Sequence, residues 1–444
     1  MNVPEPGLAV AHAVVAPLGR HQSLVFLLQL ALLLLLARGL GRLAARLGLP
    51  ALVGELLAGV LLGPTVLGNA APAVSRWLFP AAPAQAHLLD AVGLFGMLLL
   101  VAVTGAQFDA RLLRRHGTVA ARVSLAGLLV PLGLGIATGF VLPSALVADG
   151  ARREIFALFL GVAMCVTAIP VIAKTLHDLD LLHRTVGQIV IAAALFDDAA
   201  GWLLLSLVSA LAAGGGGGQV LVTTAWTAVF LAAVLLGGRP LARRLLAGAR
   251  WTAAPGAVTA GAVVLVLFSA AATAAAGMEA LFGAFVAGAA VLSLADPALL
   301  APLRTLVMSV LAPVFLATVG LRVDLTALAD PRVLGAGAAV LLVATLGKFL
   351  GAYLGARSGR LGHWEGMALG AGMNSRGMVE VVIAMAGLRL GVLNTAAFTV
   401  VVLVAIATSL TAPPLLRWAT ARIPADAEEH ERKQRLAGLT PQAR

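Results

Sequence analysis

Charged residues are scarce in this chain of 444 residues. Only 11% of the residues are Asp, Glu, Lys or Arg, whereas 60% are hydrophobic, and the mean hydropathy is +0.99. Soluble domains typically carry about 25% charged residues, so this composition excludes a soluble globular protein. The apolar runs do not alternate with polar residues, which also excludes a transmembrane β-barrel.

Cysteine is almost absent, since Cys165 is the only one and lies within an apolar run. A single thiol cannot form an internal disulfide, so we expect a packing role for it. The chain also shows no soluble domain after its last apolar run. The short, charged segment 421–444 is predicted to be a cytoplasmic tail. At the other end, residues 1–22 are only weakly apolar and do not match a cleavable signal peptide, so they are predicted to be an extracytoplasmic N-terminal segment.

Long apolar runs recur from one end of the sequence to the other. Each has about 20 residues, enough to cross a hydrocarbon layer about 30 Å thick as a helix. The pattern predicts an all-α polytopic membrane protein with about thirteen transmembrane helices, in which the bilayer itself is the main partner. These helices are expected near residues 23–40, 51–68, 86–106, 118–142, 154–176, 186–212, 220–238, 256–276, 279–294, 304–321, 333–356, 363–388 and 394–419.

The net charge of +11 comes from basic residues between the apolar runs. In a soluble protein such an excess would suggest a nucleic acid as partner. Here it is a topology signal, and no nucleic acid is expected. Arg42, Arg46 and similar residues follow the odd-numbered runs, whereas the alternate loops, such as "GGGGGQ" at 214–219, are poorer in charge. The bias predicts a multi-pass protein of the cell inner (plasma) membrane with its N-terminus outside and its C-terminus in the cytoplasm. Five arginines oppose the trend: Arg76, Arg152, Arg153, Arg322 and Arg332.

Two of the predicted helices carry polar interruptions near their middles. The fifth contains "CVTAIPVIAK", with Thr167 and Pro170, and the twelfth contains "GAGMNSRGMVE", with Asn374 and Ser375. Glycine and proline are frequent in membrane helices, so either interruption alone is compatible with an ordinary helix. Together, in helices of opposite orientation, they predict inverted repeats with two crossed broken helices, as in many transporters. The freed backbone groups must line a cavity or meet polar partners.

Two aspartates, Asp197 and Asp198, stand side by side in "ALFDDAAGW", near the middle of the sixth predicted helix. Each costs about 2.5–3.5 kcal/mol at that depth, so the pair requires a cation, a proton or water. Carboxylate oxygens also bind small hard cations. One site that holds either H⁺ or Na⁺ is an exchange site. Neighbouring helix residues point about 100° apart, so the two carboxylates are expected to differ in role. A protonated aspartate in a helix-packing hydrogen bond is the structural alternative.

Three further groups of ionisable residues lie inside apolar runs. Lys348 is about 13 Å from the charged end of its run, a long reach for a snorkelling side chain, so we predict a salt bridge to one of the aspartates that acts as a proton-coupled switch. Arg376 and Glu380 share one helix face and are interpreted as a structural pair that holds the second broken helix in shape. Glu55 is expected to be structural or gating.

Six segments, taken in order, resemble the Kef-type branch of the monovalent cation–proton antiporters, within the sodium–proton antiporter superfamily. The resemblance covers about residues 23 to 420 and is specific as an ordered set. The segments are "GLPALVGELLAGVLLGPTVLG" (48–68), "VTAIPVIAKTL" (166–176), "ALFDDAAGWLLL" (194–205), "LFGAFVAGAAV" (281–291), "PVFLATVGLRVDL" (313–325) and "GMNSRGMVEVVIAMAGLRLGVL" (372–393).

The resemblance implies a transmembrane antiporter domain over 23–420 and a homodimer with elevator-like alternating access. A scaffold and dimer part would comprise mainly 23–106 and 256–321. A moving six-helix core that transports the ions would comprise mainly 118–212 and 333–419.

By similarity, Asp198 would be the principal Na⁺/H⁺ site and so the Na⁺ ligand. Asp197 would pair with Lys348, while Thr167 and the broken-helix backbone would line the site. Family members with both acids and this lysine are usually electrogenic. The resemblance therefore implies exchange of Na⁺, Li⁺ or K⁺ for more than one H⁺, with no resident cofactor.

Three other functions compete with this interpretation. An intramembrane aspartyl protease needs two aspartates on separate helices, and here they are neighbours, so no enzyme is expected. A proton-coupled exporter of an organic solute on the same fold remains an alternative, as does a channel or sensor without coupling. Transport assays with Na⁺, K⁺ and candidate solutes distinguish them.

Overall fold

The computed structural model describes residues 18–80, 82–106, 110–212, 217–238, 240, 244, 256–294, 297–424, 428 and 429. Across these residues the regular structure is helical, and an isolated antiparallel bridge between Val147 and Leu393 is the only β pairing among them. This confirms the predicted all-α fold. The predicted segments 1–22 and 421–444 lie largely outside the described residues.

The α-helices of the described residues follow one another along the chain. The first nine are α1 (Arg20–Arg46), α2 (Ala51–Leu62), α3 (Pro72–Leu78), α4 (Pro83–Gly105), α5 (Ala110–Val141), α6 (Arg153–Cys165), α7 (Ile169–Asp178), α8 (Thr185–Ala212) and α9 (Gly217–Ala233). The others are α10 (Ala257–Ala275), α11 (Ala280–Ala290), α12 (Pro297–Leu306), α13 (Ala312–Gly320), α14 (Pro331–Ser358), α15 (His363–Met373), α16 (Met378–Arg389) and α17 (Thr395–Thr420). Short π-helical segments are Pro64–Gly68, Val234–Gly238 and Val307–Leu311, and short 3₁₀ segments are Ser144–Leu146, Leu292–Leu294 and Leu325–Ala329.

Nine stretches of the described chain are long and apolar enough to cross a membrane, and each coincides with a predicted run. Two shorter apolar helices, Ala225–Gly238 and Ala280–Leu294, coincide with the seventh and ninth runs. The fifth and twelfth runs are each divided into two short helices, α6 with α7 and α15 with α16. The chain is therefore polytopic, while the count of thirteen spans stays a prediction.

The boundary of the tenth predicted helix is wrong. The sequence places its start at 304, but α12 begins at Pro297 and continues through Pro302. A proline inside a helix removes one hydrogen bond and clashes with the preceding turn. The π-helical segment Val307–Leu311 follows directly and joins α12 to α13. The first helix also begins earlier than predicted, at Arg20 and not at 23, because a helix can extend past the apolar run into polar residues.

The division between the eighth and ninth predicted helices is confirmed and has a local cause. Gly277 follows the last turn of α10 and has a φ of 75°, in the left-handed region that glycine adopts at low cost. The amide of Met278 then donates to the carbonyl of Thr273 at 2.9 Å, which satisfies one of the helix's last carbonyl groups.

The helices pack in two groups. In the first, α1 packs on α2 and α13, α4 packs on α11 and α13, and α10 packs on α11. In the second, α5 packs along α14 and α6, α8 packs on α5, and α15 packs on α14 and α17. We call the first the scaffold group and the second the core group, after the parts that the resemblance implies, and that division stays a prediction. The motion of one against the other stays a prediction.

In the first group, α2 and α13 approach each other closely. A Cβ atom on Gly59 of α2 would lie 1.9 Å from the carbonyl oxygen of Ala317 on α13, and one on Gly320 would lie 2.2 Å from the carbonyl oxygen of Leu56. Only glycine fits at these two positions, and small residues at such crossings allow membrane helices to pack backbone to backbone.

Two polar contacts join the groups where α16 and α17 meet. Arg389, at the end of α16, forms an ion pair with Glu279 at 3.2 Å, and Glu279 lies immediately before α11. The amide of Asp324 donates to the hydroxyl of Thr399 on α17 at 3.0 Å. Burial raises the pKa of the Glu279 carboxyl, and the neighbouring Arg389 guanidinium opposes that shift.

Candidate ion-binding site

The first predicted interruption is a break between α6 and α7. α6 ends at Cys165, α7 begins at Ile169, and residues 166–168 are non-helical. Pro170 lies in the first turn of α7, where a missing N–H removes no intrahelical bond. The break leaves the last carbonyl groups of α6 without helical partners in the middle of the molecule.

Two buried, positively charged side chains donate hydrogen bonds to those carbonyl groups. Arg376 donates to the carbonyl oxygen of Ala163 at 3.1 Å and to that of Met164, and Lys348 donates to that of Cys165. A helix C-terminus carries partial negative charge, so cations are favourable there. The sequence does not reveal this capping, because the two cations lie far along the chain from α6.

The second break crosses the first. α15 ends at Met373 and α16 begins at Met378. The Thr167 hydroxyl lies 2.9 Å from the carbonyl oxygen of Met373, and the amide of Ala168 donates to the carbonyl of Ser375 at 3.1 Å. The crossed broken helices of the predicted fold are therefore present, and polar groups of each break satisfy groups of the other.

Asp197 is fully buried and has three partners. Its Oδ1 accepts from the hydroxyl of Ser124 on α5 at 2.5 Å, and its Oδ2 lies 2.9 Å from the Thr167 hydroxyl. The same Oδ2 forms an ion pair with Lys348 of α14, which is also fully buried. The structure thus brings together Asp197, Thr167 and Lys348. Sequence reasoning missed Ser124, because one serine in an apolar helix forms no pattern.

Asp198 is also fully buried, but its surroundings differ. Neither of its carboxyl oxygens has a hydrogen-bond partner among the described residues. Buried polar groups in proteins are almost always hydrogen-bonded, so this carboxyl needs a proton, a cation or water. The packing hydrogen bond required by the structural alternative is not made by any described residue. Of these two adjacent residues, Asp197 therefore has partners for its carboxylate, whereas Asp198 has none among the described residues.

The second break adds polar groups without partners. Both side-chain amide atoms of Asn374 and the hydroxyl of Ser375 are buried and have no hydrogen-bond partner within the described part of the chain. Such groups are costly in a membrane interior and mark functional positions. Asn374 and Ser375 are therefore available to an ion or to water at the break.

Arg376 and Glu380 form the predicted pair, with Arg376 Nη1 3.1 Å from Glu380 Oε1. Arg376 also donates to the carbonyl of Ala344 on α14 at 3.0 Å, and its own carbonyl accepts from the hydroxyl of Ser409 on α17. One guanidinium thus joins α6, α14 and α16. These contacts favour a role in holding the broken helices in shape.

We expect Arg376→Gln to lower the free energy of unfolding by about 3–5 kcal/mol, because Glu380 would remain buried without its partner and the α6 carbonyls would lose their donors. The midpoint of thermal unfolding in detergent measures the effect. Arg332→Gln is the matched control, since Arg332 is exposed near the start of α14. Equal midpoints for the two variants would contradict the structural role.

Comparison with known families extends these observations. The family model described as "Sodium/hydrogen exchanger, transmembrane" matches residues 30–420. The chain belongs to the sodium/hydrogen exchanger family. It is therefore a multi-pass membrane protein of a transporter family. Membership of the Kef-type branch within this superfamily stays a prediction.

Two relatives show how much of each protein this chain matches. Cation/H(+) antiporter 17 of Arabidopsis thaliana is 32% identical over 89% of this chain and 48% of its own length. Na(+)/H(+) antiporter NhaS4 of Synechocystis sp. is 32% identical over 88% of this chain and 96% of its own length. The chain thus spans about half the length of the plant relative and nearly all of the Synechocystis one.

Among solved structures, this chain is similar to the sodium proton antiporter MjNhaP1 from Methanocaldococcus jannaschii at pH 8. The two share 16% sequence identity and a TM-score of 0.62, over 90% of this chain and 97% of that one. At this identity the likeness establishes the fold alone. It agrees with the helical architecture.

Proposed function

We propose that this protein is a secondary active antiporter that exchanges Na⁺, Li⁺ or K⁺ for H⁺ across the membrane. The observation that carries the proposal is Asp198, a fully buried carboxyl without a partner among the described residues, next to the paired Asp197. Membership of the exchanger family and the names of the relatives support it.

Competition at one carboxyl couples the two ions. Asp198 binds a proton or a small hard cation, and binding of either neutralises its charge. A cation arriving from one side displaces the proton, and a proton arriving from the other side displaces the cation. Thr167 and the polar groups of the breaks line the site in this proposal, with Asp198 as the Na⁺ ligand.

The Asp197–Lys348 pair supplies a second coupling step. Protonation of Asp197 removes the charge that holds Lys348, which then donates only to the Cys165 carbonyl. Exchange of more than one H⁺ per cation follows, and it moves net charge. Each charge gains about 2.3 kcal/mol per 100 mV of membrane potential.

Two cavities support alternating access. One, of about 310 Å³, lies between the helix groups and is lined by Leu52, Glu55, Val171 and Met378 among others. Another, also of about 310 Å³, is lined by residues that include Met385 and Arg389, toward the other end of α16. The two cavities thus lie at opposite ends of the helix that follows the second break. An elevator-like movement of the core against the scaffold would connect the site to each in turn.

The same reasoning extends to the setting of the protein. We place it in the inner (plasma) membrane with the C-terminus in the cytoplasm, on the distribution of basic loops. A homodimer held by the scaffold part is proposed on the resemblance to the family. In this arrangement Glu55, buried and lining the first cavity, has a structural or gating role.

Purified protein in proteoliposomes tests the function. We expect addition of Na⁺ or Li⁺ to dissipate an imposed pH gradient, and an imposed membrane potential to change the rate, since unequal exchange moves charge. A flux that ignores the opposing gradient would instead indicate a channel. Dissipation by organic solutes but by no monovalent cation would indicate the exporter.

A further inference from the structure

A stripe of buried polar side chains runs along α8 beyond Asp198. Trp202, Ser206 and Ser209 are all at most 6% exposed. The indole N–H of Trp202 and both serine hydroxyls have no hydrogen-bond partner among the described residues. The three residues follow Asp198 at helical spacing, and at about 100° per residue all four fall within an arc of about 80°. Asp197 points about 100° away from this stripe.

Hydroxyl groups elsewhere in these helices do find partners. Thr138, Thr175, Thr318 and Thr408 each donate to the carbonyl four residues earlier in their own helix, at 2.7–3.0 Å. This is the common solution for a hydroxyl in a membrane helix. The hydroxyls of the two α8 serines do not make this bond.

Trp202, the first residue of the stripe after Asp198, packs against a helix without polar side chains. The ring of Trp202 packs on Phe285 of α11 with 6.2 Å between centroids, and α11 has the sequence "ALFGAFVAGAA". α8 belongs to the core group and α11 to the scaffold group. The indole of Trp202 thus faces an apolar helix at the boundary between the two groups. Leaving a buried donor or acceptor unpaired is unfavourable, so a static interface gives no reason for this arrangement.

The stripe extends toward one membrane surface. Ser209 lies about 16 Å along the helix from Asp198, roughly half the thickness of the hydrocarbon layer. Close to this end of α8, the carbonyl of Leu211 accepts from Arg152 at 3.1 Å, and Arg152 precedes α6 in the loop that also contains Val147. Val147 pairs with Leu393, just after α16. The stripe therefore ends on the side of the membrane where α16 ends.

We propose that Trp202, Ser206 and Ser209 line a path for water, protons and small monovalent cations between Asp198 and the Ala212 end of α8. α11 closes the path in this conformation, and sliding of α8 along the apolar α11 opens it. The unpaired groups then form hydrogen bonds with water, and these offset the free-energy cost of leaving the groups unpaired in the present conformation. This inference rests on the proposed function, because it assigns the access route to the same carboxyl.

Thiol labelling tests the path without requiring transport. Ser206→Cys and Ser209→Cys each change one atom, and the background is low because the native Cys165 is fully buried. A thiol reacts as the thiolate, so it needs water. The reagent is a positively charged, membrane-impermeant methanethiosulfonate, applied to right-side-out and inverted vesicles. Leu207→Cys is the matched control, since Leu207 lies between the serines on the opposite face and is more exposed than either.

We expect both serine-derived thiols to react at least about tenfold faster than Leu207→Cys, from the side where α8 ends, although Leu207 is the more exposed in the structure. Rates equal to that of Leu207→Cys in both vesicle orientations would overturn the path. A protein that exchanges Na⁺ for H⁺ but leaves both thiols unlabelled would keep the proposed function and lose the path. Labelling of both thiols in a protein that does not exchange Na⁺ for H⁺ would support the path and contradict the proposed function.

Discussion

Asp198→Asn is expected to abolish cation-dependent dissipation of a pH gradient while the protein stays folded. Asparagine has the shape of aspartate but neither ionises nor exchanges a proton near neutral pH. Asp198 makes no hydrogen bond to the described residues, so the substitution breaks no contact. Removing an unpaired buried carboxyl also removes a desolvation cost. The midpoint of thermal unfolding is therefore expected to stay the same or rise.

Everted vesicles or proteoliposomes with a pH-sensitive dye measure the loss of exchange. Asp149→Asn is the control, since it makes the same chemical change at an exposed loop residue. Retention of full Na⁺-dependent dissipation in Asp198→Asn would refute competition at this carboxyl. A lower unfolding midpoint would instead mean that Asp198 makes a structural contact.

The depth and adjacency of the two aspartates were enough to predict that they differ in role. Position in the apolar run gives depth, and the 100° step of a helix gives divergence. The residues alone predict Lys348 as partner of one aspartate, and the resemblance to the family implies that this is Asp197. That choice depends on the packing of α14 against α5 and α8, where Ser124 and Thr167 also meet Asp197.

The sequence also does not show that the C-terminal end of α6 is capped by side chains far along the chain. The i, i+4 spacing of Arg376 and Glu380 indicates a local pair. Arg376 has a further structural role at the C-terminal end of α6, where it donates to the carbonyls of Ala163 and Met164. The sequence indicates the break in the helix, but it does not indicate which distant basic side chain will bind the carbonyl groups there.

The stripe on α8 was visible only in part. Ser206 and Ser209 share a face with Asp198 by spacing alone, but small polar residues in membrane helices usually bond to their own backbone. Only the structure shows that these two do not, and that Trp202 on the same face packs on an apolar helix. The inference therefore needed both the periodicity of the sequence and the packing of α8 on α11.

Asp197→Asn is expected to have the opposite effect to its neighbour, lowering the free energy of unfolding by about 3–5 kcal/mol. Lys348 is fully buried, and its contacts in the described structure are Asp197 and the carbonyl of Cys165. Asparagine keeps the shape but removes the counter-charge. Breaking a buried pair on one side leaves an uncompensated charge, which is much more costly than removing the pair altogether.

The double variant Asp197→Asn/Lys348→Met separates these two costs. Methionine keeps much of the length of the lysine side chain without its charge, so most of the lost stability is expected to return. Thermal unfolding followed by tryptophan fluorescence in detergent gives the midpoints of the wild type, the two single variants and the double variant. If the double variant is no more stable than Asp197→Asn, the loss comes from the bonds of Asp197 to Ser124 and Thr167 and not from the buried charge. Because Asp197→Asn and Asp198→Asn are the same chemical change one residue apart, a loss of stability in the first and of exchange alone in the second would separate the ion pair from the transport site.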